Sequence, residues 1–196
     1  MSLRLERLTG GRVAGWFEDL ARLRITVFRE FPYLYEGTME YEHKYLRNYA
    51  ETEGSLIVGA FDGTRLVGAS TGLPMAAEPV YLRGAFVRRG EDVARLFYFG
   101  ESVLLPEYRG RGTGALFFDE REAHARSLGG FDWTCFCAVI RPEDHPRRPP
   151  GYETLDAFWQ RRGYARVEGF TVEFTWRDLD EASESPKAMS VWRRPL

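Results

Sequence analysis

The chain has 196 residues, 44% of them hydrophobic and 15% aromatic, and carries a formal net charge of -2. That length predicts a single domain, residues 1–196, large enough to bury a real core. The near-neutral balance excludes the broad field that recruits nucleic acid or an acidic membrane. No apolar run reaches the roughly 18 residues a membrane span needs, and the opening residues do not form a signal peptide. The two cysteines, Cys135 and Cys137, stand too close in sequence for an ordinary disulfide and are too few for a metal site. They read as buried free thiols, which suits a reducing cytoplasm, and no metal is expected.

Leu3, Leu5 and Arg7 alternate with Arg4, Glu6 and Leu8, a modest first strand ending at Gly10-Gly11. Over residues 12–30, Trp16, Leu20, Leu23 and Val27 recur at helical spacing, and Phe31-Pro32-Tyr33 ends that helix. A second helix is predicted over residues 38–50, with Tyr41, Tyr45 and Tyr49 as a packing stripe. Residues 55–61 and 65–73 read as strands joined by the Asp62-Gly63-Thr64 turn. Residues 74–95 form an inserted segment of one or two short helices broken at Gly84 and Gly90.

An apolar strand follows over residues 97–105, running into Pro106. Next comes a helix over residues 113–128, with Phe117, Phe118, Ala125 and Leu128 as its buried side and Gly129-Gly130 as its stop. Residues 131–140 form a heavily apolar, central strand. Residues 141–151 are a proline-rich, charged loop. A helix over residues 154–162 closes at Gly163, and strands at 170–176 and 189–192 flank a polar connector.

The chemistry concentrates where the strand ending at Leu105 hands over to the next helix. Gly110, Gly112 and Gly114 alternate there, leaving bare backbone N–H groups at the positive end of a helix dipole, and Arg109 and Arg111 add two cations. This arrangement reads as a pyrophosphate cradle. Gly110-Arg111-Gly112-Thr113-Gly114-Ala115 fits the dinucleotide pattern G-x-G-x-x-A, with Asp132 at a suitable distance for a ribose contact. That pattern normally follows directly on the first strand of its domain. Here four residues intervene after the strand, and about a hundred precede the pattern.

The same residues, read as Leu104-Leu105-Pro106-Glu107-Tyr108-Arg109-x-x-Gly112-x-Gly114, resemble the acetyl-CoA motif of the GNAT superfamily of N-acetyltransferases. The element order agrees along nearly the whole chain. The resemblance implies an α/β (α+β) fold with a mixed, splayed central sheet of about seven strands flanked by helices. It also implies transfer of the acetyl group of acetyl-CoA to a primary amine by direct attack. In that reading the backbone of Gly110, Arg111, Gly112, Thr113, Gly114 and Ala115, with Arg109, holds the pyrophosphate. The backbone of Val103, Leu104 and Leu105 pairs with the pantetheine arm.

Glu101 falls on the same strand face as Phe97, Phe99, Val103 and Leu105 by a period of two. A carboxylate there is either the general base or one half of an ion pair with a buried arginine. The usual tyrosine acid of the family falls at Trp159, which cannot serve, while Tyr152 and Tyr164 lie nearby in sequence. His145 is a further, weaker candidate base. The aromatic segments and the arginine-rich loop suggest a small, partly apolar or acidic acceptor. A GNAT-fold module that binds acyl-CoA without chemistry and a dinucleotide-dependent oxidoreductase stand as alternatives. The oligomeric state, a homodimer included, is open.

Overall fold

In a computed structural model the described residues are 3–9 and 12–196, so the predicted strand end at Gly10-Gly11 lies outside them. The chain begins with strand β1 (Arg4–Leu8) and helix α1 (Phe17–Phe28), which a short 3-10 turn at Ala14–Trp16 precedes. Helix α2 (Met39–Glu51) starts where the Thr38 hydroxyl accepts the Tyr41 N–H at 3.3 Å, an N-cap that satisfies an otherwise orphan donor. The hairpin of β2 (Leu56–Asp62) and β3 (Arg65–Pro74) follows, as its alternating pattern and turn residues require.

The inserted segment holds a 3-10 turn (Met75–Ala77), helix α3 (Val80–Arg88) and a second 3-10 turn (Val93–Arg95). Helix α3 runs through Gly84 unbroken, against expectation. One helical glycine costs only about 1 kcal/mol, and Leu82 and Phe86 bury into the core on either side of it. Gly90, at φ +82°, marks the turn beyond the helix.

The largest correction concerns the strand predicted over residues 97–105. It is two strands, β4 (Leu96–Phe99) and β5 (Ser102–Leu104), broken at Gly100-Glu101. The break inverts the side-chain alternation. Phe97 and Phe99 pack with Phe118 and Phe136 on one face, while Val103 joins Tyr98 and Leu96 on the other. Glu101 therefore does not share a face with Phe97 and Phe99, because an irregularity shifts the period by one residue. After α4 (Thr113–Leu128), strand β6 (Trp133–Val139), helix α5 (Asp156–Arg161), β7 (Ala165–Trp176) and β8 (Ser185–Pro195) complete the chain. The last two strands exceed their predicted lengths because they pair with each other nearly end to end.

The strand order is β1-β2-β3-β4-β6-β8-β7, with β5 paired to β3. Among the described residues only β4 and β6 run parallel, in register from Leu96↔Trp133 to Phe99↔Phe136. Beyond that point β6 stays with β8 and β5 stays with β3. The sheet thus splays at the end of β4, as the resemblance implied, with eight strand segments rather than seven. Helices α1, α2 and α3 bury Leu20, Leu46, Leu82 and Phe86 against one face. On the other face Phe117 of α4 packs on Leu56, Val58 and Ala60, while Phe118 and the α5 residues Phe158 and Trp159 pack around Phe136 and Trp192. Cys135 and Cys137 are buried free thiols. Two details of α4 differ from expectation: Leu128 is exposed, and the charged Arg121 and Glu122 are buried. Among the described residues no helix is long and apolar enough to cross a membrane.

Candidate active site

The glycine loop lies between β5 and α4. Gly110 (φ +74°) and Gly112 (φ +85°) adopt backbone conformations that side chains resist, and a Cβ at either would point into open space. Gly112 is the N-cap of α4. Among the described residues, the N–H groups of Gly110, Arg111, Gly112, Thr113 and Gly114 find no acceptor, whereas the Ala115 N–H already donates to the Gly112 carbonyl at 3.0 Å. Five consecutive free donors at the N-terminus of a 16-residue helix form an anion site by geometry alone.

The two arginines of the loop are engaged. Arg109 donates to the Leu104 carbonyl (2.9 Å) and pairs with Glu30 (2.7 Å); Arg111 donates to the Glu107 carbonyl (2.6 Å). Arg109 is thus a brace between the loop, the strand end and the α1 side of the cleft, and its guanidinium does not stand free on the rim. Asp132, the ribose candidate of the dinucleotide pattern, is gripped by Arg95 at 2.9 and 2.5 Å.

On β5 the hydrogen-bonding parity is set by Leu105, whose N–H donates to the Val67 carbonyl at 3.0 Å. Val103, two residues earlier and opposite Ala69, points its polar backbone the same way, into β3. Leu104 is left with its N–H directed toward the splay. Of the three residues expected to pair with a pantetheine arm, Leu104 alone offers an outward N–H.

Beside this edge lies a cleft of about 580 Å³ lined by Glu30, Phe31, Arg109, Arg147, Pro149 and Tyr152 among others. Tyr152 packs edge-on against Phe31, with ring centroids 4.7 Å apart. Arg141 fixes the Phe31 segment: it donates to the carbonyls of Pro32 and Tyr33 (both 2.7 Å) and grips Asp178 with two bonds of 2.7 and 2.9 Å. The Tyr33 phenol is raised above its ordinary value, first by burial and then by Cys137, Glu101 and Tyr152, with Arg24 opposing. Those neighbours come from both sides of the splay. His145 sits in the outer loop, where its ring packs near Phe31 and Nδ1 accepts the Arg147 N–H at 3.2 Å.

Glu101 is ion-paired in the structure. One carboxylate oxygen pairs with buried Arg24 and the other accepts from the Tyr45 hydroxyl. Arg24 also bonds buried Glu42 and stacks 3.8 Å from the Tyr45 ring centroid. The Tyr45 and Tyr49 hydroxyls are 3.0 Å apart, so part of the predicted packing stripe is a polar ladder rooted on Glu101. From the opposite face, buried Arg121 donates to the carbonyls of Thr71 (3.2 Å) and Glu101 (2.9 Å) and to the Ser102 hydroxyl (2.9 Å). Desolvation lowers its pKa to about 10. Both carbonyls also accept a backbone N–H, Thr71 from Gly100 (3.1 Å) and Glu101 from Thr71 (3.0 Å), so the arginine adds a second bond to each and clamps the break from the α4 side. Gly100 is required at the break because a Cβ there would collide with the Tyr45 and Tyr49 hydroxyls and Thr71.

Sequence reasoning missed Arg24, Tyr33, Tyr45, Glu78 and Arg121. Helical spacing alone could have flagged Arg24 and Arg121, since both fall among apolar residues on the buried faces of their helices. Trp159 packs on Phe136 and Trp192 (5.0 and 5.1 Å), so the position of the usual acid is core. The Tyr164 hydroxyl is buried between Thr134 (2.8 Å) and Glu122 (3.1 Å), which leaves Tyr152 as the phenol lining the cleft.

No protein-family model and no curated protein sequence matches the chain. Solved structures do. An acetyltransferase of the GNAT family from Streptococcus pneumoniae aligns over 100% of both chains with a TM-score of 0.59 and 12% identity. A GNAT-superfamily phosphinothricin acetyltransferase from Sinorhizobium meliloti, in complex with acetyl-CoA, aligns over 100% of this chain and 89% of its own (TM-score 0.60, 15% identity). NAA60 of Arabidopsis thaliana, also in complex with acetyl-CoA, aligns over 100% and 99% (TM-score 0.65, 10% identity). With its splayed mixed sheet and its glycine loop at the opening, the chain has the fold of the GNAT acetyltransferases.

Proposed function

We propose that the protein is an N-acetyltransferase that moves the acetyl group of acetyl-CoA onto a primary amine by direct attack. The observation that carries this reading is the row of five free N–H groups at the start of α4, set beside a strand edge that the splay leaves open. A pyrophosphate matches the row in charge and in donor number. Leu104 presents one outward N–H, suited to guide the pantetheine arm or to polarise the thioester carbonyl as charge builds on its oxygen. Arg109 holds the loop to the strand end through Leu104, so its part is to fix the distance between the two. Glu101, with both oxygens engaged, positions Tyr45. Tyr152 is the phenol placed to protonate the departing thiolate, which at an ordinary thiol pKa near 8.5 leaves without much assistance.

The test is thermal unfolding with acetyl-CoA, CoA and NADH, because a ligand specific for the folded state raises Tm by mass action. Acetyl-CoA and CoA are expected to raise Tm by several degrees, and Gly112→Val to abolish that rise. A shift with NADH alone would move the chain to the dinucleotide class. Binding of acetyl-CoA with no thioester turnover across amines would favour the non-catalytic module that Trp159 keeps open.

A further inference from the structure

Glu78 lies in the inserted segment, between the 3-10 turn and α3, and only 8% of its surface is exposed. Among the described residues it has no salt bridge and its carboxylate accepts no hydrogen bond, although every other carboxylate buried to this degree (Glu42, Glu122 and Asp178) has a cationic partner. A nearly buried, unpartnered carboxylate is costly, and the fold retains it at one particular place.

The groups that feel its charge identify that place. They are Glu101 at the β4–β5 break, Tyr45 and Tyr49 of α2, Tyr81 of α3, Tyr98 of β4, and Cys135 and Cys137 of β6. Glu78 therefore sits at the seam where α2 and the insert meet over the splay, on the same face as Glu101. Around it are phenol rings and a second carboxylate. The nearby cation, Arg24, is already shared by Glu42 and Glu101. Tyr81, more than half exposed, marks the outer side of the seam. Phenol faces and uncompensated carboxylates together favour a cation. They disfavour an acceptor that carries its own carboxylate beside the amine, unlike the acidic acceptor that the arginine-rich loop suggests. In that loop Arg141 and Arg147 are paired with Asp178 and Asp180.

We propose that Glu78 is the acceptor-binding base: it receives a primary alkylammonium at the α2–insert seam and takes its proton before acyl transfer. The inference rests on the acetyltransferase reading above. In the step, Glu78 gains one proton from the ammonium, and the freed amine lone pair forms the C–N bond as the C–S bond of the thioester breaks. The amide nitrogen then loses its second proton, and the CoA thiolate gains one. The sum is acetyl-CoA and ammonium giving amide, CoA thiol and one proton. Burial, with Glu101 adding, raises the Glu78 carboxyl to about 8, closer to an amine than an ordinary carboxylate stands.

The experiment measures CoA release from acetyl-CoA with phenethylamine and 1,4-diaminobutane against methionine and glutamate, for wild type, E78Q and E78D, from pH 6 to 9. Acetyl-CoA binding is followed separately by Tm, and amine binding by calorimetry in the presence of CoA. The expected result is turnover of the alkylamines at least about tenfold above the amino acids. In E78Q, kcat/KM for the amine should fall by about 100-fold or more at neutral pH, with the acetyl-CoA shift intact and the levelling-off of the wild-type profile near pH 8 replaced by a rise that continues to pH 9. E78D should restore part of the rate lost at neutral pH. E78Q acting within about threefold of wild type, or a preference for the amino acids, overturns the assignment. So does acetyl-CoA binding by wild type with no amine bound or turned over, which leaves the cofactor reading standing. No acetyl-CoA shift in wild type removes the acetyltransferase reading and this inference with it.

Discussion

Glu78 illustrates how a single side chain can set a pH dependence of stability independently of catalysis. Its carboxyl rises from an ordinary 4.5 to about 8, with burial the main cause. Between those values the unfolded chain is ionised while the folded chain, with no amine bound beside Glu78, keeps its proton, so stability falls as pH climbs, by up to about 1.4 kcal/mol per unit. E78Q removes that slope. Its Tm should match wild type near pH 4 and exceed it near pH 8; parallel Tm curves across this range would show that the native carboxyl is not raised. Gly100 makes the complementary point about space. Gly100→Ala places a methyl group against the Tyr45 and Tyr49 hydroxyls, and denaturant titration should show a loss of stability of about 1–3 kcal/mol.

Two elements are held in their working shape by buried arginines. At the β4–β5 break the Thr71 and Glu101 carbonyls, each already accepting a backbone N–H, take a second hydrogen bond from Arg121 of α4. Arg121→Met keeps the apolar stem, removes those donors, and should cost on the order of 3 kcal/mol in urea unfolding. Because the break also sets where Glu101 and Leu104 point, the variant should lose amine turnover by more than its change in acetyl-CoA affinity accounts for. Arg141 does the same for the Phe31–Tyr33 segment. Arg141→Ala leaves Asp178 with Lys187, 3.6 Å away, as its remaining cation and strips the donors from the Pro32 and Tyr33 carbonyls, and should destabilise the protein by about 1–3 kcal/mol. Protection of the Tyr33 amide from hydrogen exchange, read by mass spectrometry, should fall with it.

Across the whole molecule, the splay divides a seven-strand path into two groups that share only the β4–β6 pairing at their junction. A ligand that lies along the Leu104 edge and caps α4 would bridge that division. Hydrogen exchange with saturating acetyl-CoA should therefore slow at residues 102–105 and 110–114 together, with little change at β1. Protection confined to the glycine loop would mean an anion site without the strand contact.

How much was legible in the sequence follows the range of the interaction. Local signals held: the helix predicted to open near residue 38, the Asp62-Gly63-Thr64 turn, and the glycines bounding a helix at Thr113–Leu128. These are set by backbone conformations a few residues long, and the strand–Pro–glycine-loop motif is of the same kind. Tertiary structure decided what depends on partners far away in the chain. The break in the strand reads as an unbroken apolar run because the groups that frame it, Thr71 on β3, Tyr45 and Tyr49 on α2 and Arg121 on α4, meet there only in the fold. The pairing of Glu101 with Arg24 joins residues far apart in the chain, and only the fold brings them together. Glu78 gave no signal at all, since a lone glutamate in an irregular segment is ordinarily solvated. Only the packing of the insert into the core takes it out of water.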